Sequence, residues 1–244
     1  MKTTLLILLS FFMLTACTEE DLNKILNDTG SLTNEEVING LKEALSVGTD
    51  TSVSILNKLD GYYRDSIVKI LLPPEAQVIY SRLSSIPGGN LLLEQTLVSM
   101  NRAAEDAASE AKPIFVNAIT SITIEDGFGI LNGNDTSATA YLYGKTFQPL
   151  KATFAPKIQT SLDKKLVFNL SAETIYSNLI TAYNTASLNG ILYDKITTNT
   201  LSEHVTSKAL TGLFIKVADQ EKQIRKDPLA RVTELLQKVF GSKK

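Results

Sequence analysis

The sequence is poor in the side chains that most often build active sites. It has one cysteine, one histidine and no tryptophan among 244 residues. A single cysteine excludes a disulfide within the chain, and together with a single histidine it excludes the usual zinc sites, which need several such ligands. His204 is therefore the one histidine available as a base for nucleophilic catalysis, and no Gly-x-Ser-x-Gly motif accompanies it.

The chain also lacks a large excess of either positive or negative charge. The chain carries 24 basic and 26 acidic residues, which gives a formal net charge of −2. No basic stripe interleaved with aromatic residues occurs, so we expect no nucleic-acid partner. Walker and dinucleotide-binding fingerprints are absent too, and the loop at 132–135 lacks the spacing of acidic ligands found in an EF-hand. We therefore expect no cofactor and no metal site.

The first sixteen residues have the pattern of a bacterial lipoprotein signal peptide. Lys2 precedes an apolar run from Leu5 to Leu14, which is too short to span a bilayer core of roughly 30 Å. Leu14-Thr15-Ala16-Cys17 resembles the lipobox, after which the cysteine is acylated and becomes the new N-terminus. We therefore expect cleavage after residue 16 and palmitate-type acyl chains on Cys17, which would anchor the protein firmly in a membrane.

Residues 17–32 are predicted to be the lipidated cysteine and a tether. Thr18 is not the aspartate that resembles an inner-membrane retention signal, so the sequence favours the outer membrane of a Gram-negative bacterium. Glu19-Glu20-Asp21 resembles a surface-export signal of certain Gram-negative groups, and a solvated linker explains it equally well. The expected location is therefore the outer membrane, facing either the periplasm or the cell surface.

The rest of the chain predicts an all-α fold. Apolar or small residues recur at steps of three and four from Leu91 to Ile122, which is one face of a helix. Alanine occupies the centre of this stripe and lets neighbouring helices come close, while Pro113 is a candidate kink. We predict a single multi-helix domain over residues 33–241, built around this long Ala-rich central helix.

Local signals place the other helices. Capping boxes at Thr33 and Thr200 predict two helix starts, Thr123 predicts a third, and Gly48 is interpreted as the end of the first helix. The run at 67–72 has the composition of a strand. Because no second strand is predicted to pair with it, we interpret it as an extended loop or a short helix on the core. Glu221 and Arg225 are interpreted as a surface ion pair worth a few tenths of a kcal/mol.

A polar row accompanies the central apolar stripe and forms the candidate site. It contains Glu94, Asn101, Glu105 and Lys112, with Arg102 beside it. Three interpretations stay open for the charged residues: surface ion pairs at helical spacing, a semi-buried network that fixes helix register, and carboxylate catalysis. The first is the commonest arrangement on helices, so we identify no catalytic residue.

Short strings distributed over the chain resemble one known family. They include Gly40-Leu41-Lys42-Glu43-Ala44-Leu45, Asp60-Gly61-Tyr62, Met100-Asn101-Arg102-Ala103-Ala104-Glu105, Ala111-Lys112-Pro113-Ile114-Phe115, Thr123-Ile124-Glu125-Asp126 and Glu221-Lys222-Gln223-Ile224-Arg225. Together they resemble the bacterial domain-of-unknown-function family 4197, many of whose members are lipoproteins. The resemblance implies no activity, cofactor or catalytic residue. Tyr143 and His204 depart from it, because the family usually has arginine and tyrosine there, so a shared ligand site would differ in this chain.

Three functions remain compatible with the sequence, and we lean against an enzyme. The first is a non-enzymatic, membrane-anchored binding or scaffold module with a protein or lipid-like partner. The second is a carrier whose helices enclose a lipid-like apolar ligand, which would need a lined cavity of several hundred cubic ångströms. The third is a hydrolase with carboxylates that converge in a cleft.

Overall fold

The computed structural model describes residues 33–165, 169–197 and 200–241. The predicted signal peptide, Cys17 and the tether lie outside the described residues. Those described form helices and no strand, which confirms the predicted all-α fold. The helices are α1 (Asn34–Leu56), α2 (Val78–Arg82), α3 (Gly89–Ala108), α4 (Ala111–Thr120), α5 (Ile124–Asn132), α6 (Ser137–Asp163), α7 (Ala172–Ala186), α8 (Ser202–Lys226) and α9 (Glu234–Gly241), with 3-10 turns at Pro74–Ala76, Leu83–Ser85 and Pro228–Ala230.

Helix α3 lies at the centre of the domain, as the alanine stripe predicts. It packs against α6, α7 and α8. The alanines of its inner face are completely buried, and small side chains allow the close approach of three neighbouring helices. These residues are Ala103, Ala104, Ala107 and Ala108.

The central helix is shorter than predicted, because α3 and α4 are separate helices with a break at Ser109 and Glu110. Pro113 explains the break. Its ring lacks the N–H that would bind the carbonyl of Ser109 and would clash with that carbonyl in a continuous helix. Within the first turn of a new helix the missing N–H costs nothing. Pro113 thus disrupts the predicted helix where expected, but it divides that helix into two and does not merely kink a continuous one.

Helix α1 is longer than predicted, because it continues through Gly48. The interpretation of Gly48 as a helix end is therefore wrong. Gly48 is buried where α1 packs on α8, and a Cβ at this position would lie in ordinary van der Waals contact with Gln220, at 3.5 Å. The neighbouring hydroxyl of Ser52 donates a hydrogen bond to the Gly48 carbonyl at 2.7 Å.

Two predicted helix caps have opposite outcomes. The capping box at the start of α5 is confirmed: Thr123 Oγ1 accepts from the Asp126 N–H at 3.1 Å, and the Asp126 carboxylate accepts from the Thr123 N–H at 3.3 Å. The box at Thr200 is wrong, because Leu201 is the N-cap of α8 and makes no side-chain cap bond. The Leu201 N–H instead donates to Glu173 in α7 at 3.2 Å, a distant partner that local sequence does not show.

Helix α6 is capped by α8 through a buried carboxylate. Glu221 accepts from the N–H groups of Ala138 and Thr139 at 2.9 and 2.8 Å. Arg225 bonds to Glu221 at 2.8 Å and donates to the carbonyl of Ile130 at the end of α5 at 2.9 Å. The side chains of Glu221 and Arg225 are only 6% and 12% exposed, so the interpretation as a surface pair is wrong. The pair joins three helix ends.

Candidate functional site

The polar residues of α3 face an irregular segment, residues 57–73, that links α1 to the first 3-10 turn. A stretch of this length without helix or strand is uncommon in a compact domain unless it has a role of its own. Residues 66–68 form a turn closed by the Lys69 N–H, which donates to the carbonyl of Asp65 at 2.8 Å, and residues 69–72, the extended run, continue without helix or turn. Val68, Ile70 and Leu72 are buried, whereas Ile67 and Leu71 are 66% and 48% exposed. Along the extended run this alternation has the period of two of a chain with one covered face.

Asn101 takes the place of a neighbouring strand for this extended run. Its Oδ1 accepts from the N–H of Ile70, and its Nδ2 donates to the carbonyl of Ile70, both at 2.9 Å. The same Nδ2 also donates to the carbonyl of Leu97 within α3 at 2.8 Å. Asn101 is completely buried. One side-chain amide therefore satisfies both backbone groups of a buried residue that has no sheet partner.

Glu105 fixes the first half of the segment through its backbone. Its Oε1 accepts from the N–H groups of Tyr62 and Tyr63, each at 3.2 Å. Its Oε2 accepts from Arg102 at 2.6 Å, and Arg102 also binds Asp60 at 2.6 Å. Glu105 is 4% exposed. Arg102 therefore compensates a buried carboxylate, and its hydrogen bond to Asp60 keeps the pKa of the half-buried Asp60 carboxyl below its usual value.

Tyr62 connects the same segment to α8. Its ring is completely buried, and its hydroxyl donates to the carbonyl of Ala209 at 2.8 Å. Burial raises the pKa of Tyr62, so the hydroxyl stays protonated. A Cβ at Gly212 would lie 2.9 Å from the Tyr62 ring and 3.1 Å from Val68. Only glycine at this position lets α8 approach the segment so closely.

Tyr63 brings Glu94 into the same cluster. Its hydroxyl donates a short hydrogen bond to Glu94, which raises the pKa of Tyr63 to about 12. Lys69 Nζ lies 4.0 Å from the centre of the Tyr63 ring. The aromatic ring is thus held between a carboxylate of α3 and a lysine of the extended run, at the exposed edge of the network.

The structure brings together four of the five predicted polar residues. Glu94, Asn101, Arg102 and Glu105 all contact residues 57–73, whereas Lys112 pairs with Asp50 of α1 at 3.1 Å in an exposed position. Sequence reasoning missed the partners Asp60, Tyr62 and Tyr63. The signal that pointed to two of them is the string Asp60-Gly61-Tyr62, which was noted for the family resemblance alone.

A groove runs along the exposed side of the extended run, between it and α8. Its volume is about 210 Å³. Ile67 and Leu71 give it apolar walls, and Lys69 and Lys208 give it positive charge. His204 also lines it, with Nε2 at 2.9 Å from the carbonyl of Leu71. Burial lowers the pKa of His204, so at pH 7 the ring is neutral and its Nε2–H is assigned as the donor.

Tyr143, the other residue that departs from the family pattern, lies in a different part of the domain. The ring of Tyr143 stacks on Phe147 at 4.7 Å between centroids and meets Phe214 of α8 edge-on at 4.9 Å. Phe214 in turn contacts Phe115 of α4 at 6.0 Å. Tyr143 therefore extends an aromatic cluster between helices, whereas His204 borders the groove.

Two further depressions differ in size and chemistry. The apolar pocket between α1, α8 and α9 holds about 20 Å³, which is room for roughly one water molecule. An open groove between α4, α5 and α6 has about 460 Å³ and is lined by Asn117, Asp126, Tyr141 and Lys145. The Asp126 carboxylate in this groove already binds both polar groups of Thr123 in the cap of α5.

Within residues 33–165, 169–197 and 200–241, no group of three or more histidine, cysteine, aspartate and glutamate side chains is placed to hold a metal ion. No single helix there has both the length and the apolar character needed to cross a bilayer. Helices α4 and α5 reach that length and composition only together, and they meet at a bend of 106°.

Comparison with known proteins identifies a family. Residues 31–241 match the family described as "Protein of unknown function (DUF4197)". Neither the curated proteins nor the solved structures give a match. The match covers the whole described domain, including the polar cluster on α3 and the groove beside α8.

Proposed function

This chain belongs to the DUF4197 family, whose description states no function, and we propose that it is a lipid-anchored, non-enzymatic module that binds an extended protein segment. The observation that carries the proposal is the exposed apolar face of residues 67–71, which buried polar side chains hold in place. The anchor is inferred from the sequence, and the binding face from the geometry.

The anchor follows from Leu14-Thr15-Ala16-Cys17 at the end of the apolar leader. The first helix of the domain begins at Asn34. The intervening residues 18–33, if fully extended, reach roughly 55 Å at about 3.4 Å per residue. A tether of this reach allows a folded domain to present any of its faces either to the membrane or to a partner away from it.

The backbone of the binding face is held in place before any partner binds. Ile67 and Leu71 are exposed on a run whose backbone is fixed by Asn101 from α3 and by His204 from α8. Exposed apolar side chains on a rigid backbone lose little conformational freedom on binding, which favours affinity. Lys69 and Lys208 line the same groove. The surface therefore fits an extended segment that carries apolar side chains and at least one carboxylate.

The same contacts favour binding over carboxylate catalysis or lipid transport. Both oxygens of Glu105 are occupied, by two backbone N–H groups and by Arg102, so its role is to position residues 57–73. A general base needs an oxygen that can reach a substrate. The apolar pocket of about 20 Å³ between α1, α8 and α9 is far smaller than an acyl chain requires. The groove of about 460 Å³ between α4, α5 and α6 is large enough, but it is open and lined largely by polar side chains.

Replacing Cys17 with serine is expected to abolish membrane attachment through acyl chains, because the hydroxyl does not accept the thioether-linked lipid. The measurement is metabolic labelling with a palmitate analogue, followed by membrane fractionation. Thr18→Ser is the matched control, since it changes the neighbouring residue and keeps the thiol. Labelling of Cys17→Ser at the level of the Thr18→Ser chain would contradict the anchor.

A photo-cross-linking side chain at Leu71 is expected to capture a protein of defined mass in the native envelope. Leu59 is the matched control, because it is also an exposed leucine of the 57–73 segment but does not line the groove. The adduct should fall at least tenfold when Lys69 and Lys208 are both changed to glutamate, since reversal of two charges would repel a carboxylate. The same adducts from Leu59 and Leu71, or adducts indifferent to the charge reversal, would refute the proposed groove.

A further inference from the structure

A second set of aliphatic side chains is exposed on the loop that follows α7. Leu188, Ile191 and Leu192 are 54%, 80% and 64% exposed, and they lie within five consecutive residues. Single exposed aliphatic residues are ordinary on protein surfaces, but a cluster at a loop tip marks an interaction site. The loop is distant in sequence from the groove and contributes no residue to its lining.

The backbone of this loop is held in a conformation that side chains disfavour. Leu188, Asn189 and Gly190 have φ values of 51°, 54° and 101°, all in the left-handed region. A leucine in this region is uncommon, because its Cβ crowds the following carbonyl. Ser187 secures the turn: its Oγ accepts from the Gly190 N–H and its carbonyl accepts from the Leu192 N–H, each at 2.9 Å.

The base of the loop is fastened to α7 in the same manner as residue 70 is fastened to α3. Asn184 Oδ1 accepts from the N–H of Ile196, and its Nδ2 donates to the carbonyl of Ile196, both at 2.9 Å. Tyr183 donates to the carbonyl of Asp194 at 3.1 Å, and its ring packs on Tyr193 at 5.1 Å. The exposed tip is therefore a preorganised projection.

Basic side chains accompany the residues that follow the aliphatic tip. The guanidinium of Arg82, at the end of α2, lies 4.8 Å from the centre of the Tyr193 ring. Lys195 is exposed two residues further along the loop, beside the exposed Asp194. The base of the loop thus carries two positive charges and one negative charge, together with a tyrosine ring.

We propose that the tip formed by Leu188, Ile191 and Leu192 inserts into the bilayer surface, with Arg82 and Lys195 at the level of the lipid phosphates. Aliphatic side chains beyond a belt of tyrosine and basic residues match the order of acyl chain, interface and headgroup in a membrane. The inference rests on the proposed lipid anchor, whose tether lets this face reach the membrane. The inserted loop would give the tethered domain a fixed orientation.

The chain contains no tryptophan, so Ile191→Trp supplies a single fluorescent reporter at the tip. Cys17 is the one cysteine, so a maleimide lipid attaches residues 17–244 to vesicles at that position, independently of acylation in the cell. The vesicles contain phosphatidylethanolamine and phosphatidylglycerol, with a fraction of the lipids brominated on their acyl chains. Tryptophan that enters the bilayer is expected to shift to shorter emission wavelength and to lose more than half of its intensity to bromine.

Leu229→Trp is the matched control, because Leu229 is 88% exposed and follows the C-terminal end of α8, whereas the loop precedes the N-terminal end of that helix. Its emission should be indifferent to brominated lipid. Leu192→Trp is a second reporter that should repeat the result of Ile191→Trp, and a far-ultraviolet circular dichroism spectrum verifies that each variant is folded. Equal quenching at residues 191 and 229, absence of quenching at both 191 and 192, or a wavelength shift without vesicles would overturn the proposal. Failure of palmitate labelling at Cys17 would overturn the natural anchor alone.

Discussion

Replacing Glu105 with alanine is expected to lower the free energy of unfolding by about 3–5 kcal/mol, the cost typical of removing one partner from a buried ion pair. Two backbone N–H groups, those of Tyr62 and Tyr63, would lose their acceptor, and Arg102 would lose one of its two carboxylates. Because these contacts hold residues 57–73 on α3, the loss should also loosen the groove. A urea unfolding transition measures the effect.

Two control variants show whether this loss of stability comes from the buried carboxylate. Glu105→Gln keeps an oxygen that can accept from the backbone and should therefore lose less stability than Glu105→Ala. Lys112→Ala removes an exposed partner of Asp50 and should cost only about 0–1 kcal/mol. An unchanged urea midpoint for Glu105→Ala would contradict the structural role. If that variant also lost a measurable ligand or activity, Glu105 would have to be assigned to a functional site.

Replacing Glu221 with alanine is expected to cost a similar amount, about 3–5 kcal/mol. The carboxylate accepts from two N–H groups at the start of α6 and pairs with Arg225, which binds the end of α5. Its removal would leave buried donors at one helix start and a buried guanidinium without its carboxylate. The unfolding transition of the variant, followed by circular dichroism at increasing urea, measures the loss.

Asp219→Ala is the appropriate control for Glu221, because Asp219 is an exposed acid on the same helix and its loss should stay within about 0.5 kcal/mol. A double-mutant cycle with Arg225→Ala would separate the ion pair from the helix cap. If the two single variants and the double variant lose equal stability, the residues act as one unit. A loss for Glu221→Ala no larger than that for Asp219→Ala would contradict the buried cap.

The sequence predicted those features of the fold that depend on neighbours along the chain. The alanine spacing located α3, and Thr123 located the start of α5, because both patterns are local. The interpretation of Gly48 as a helix end was wrong, because this glycine is buried inside α1, where the helix packs on α8, and local sequence does not show that packing. Leu201 was missed as a helix cap for the same reason, since its N–H bonds to Glu173 in α7.

For the candidate site, too, the sequence indicated the residues on one helix but not their distant partners. Asn101, Arg102 and Glu105 were noticed as polar residues beside an apolar helix face, but whether they lay at the surface or in the interior stayed open. Their burial depends on hydrogen-bond partners in residues 60–70, which are 31 to 43 positions away in the chain. An irregular segment has no periodicity from which its contacts can be predicted, so neither Tyr62 nor Ile70 was assigned to the site.

The hydrogen bond from Tyr62 to Ala209 joins residues that are 147 positions apart in the chain. Translation proceeds from the N-terminus, so the run Ile67-Val68-Lys69-Ile70-Leu71-Leu72 leaves the ribosome long before α8 exists to cover it. Such a run, rich in β-branched and aliphatic residues, is prone to pair with other chains while it is uncovered. This stretch is therefore open to pairing with other chains until α8 has joined it in the folded domain.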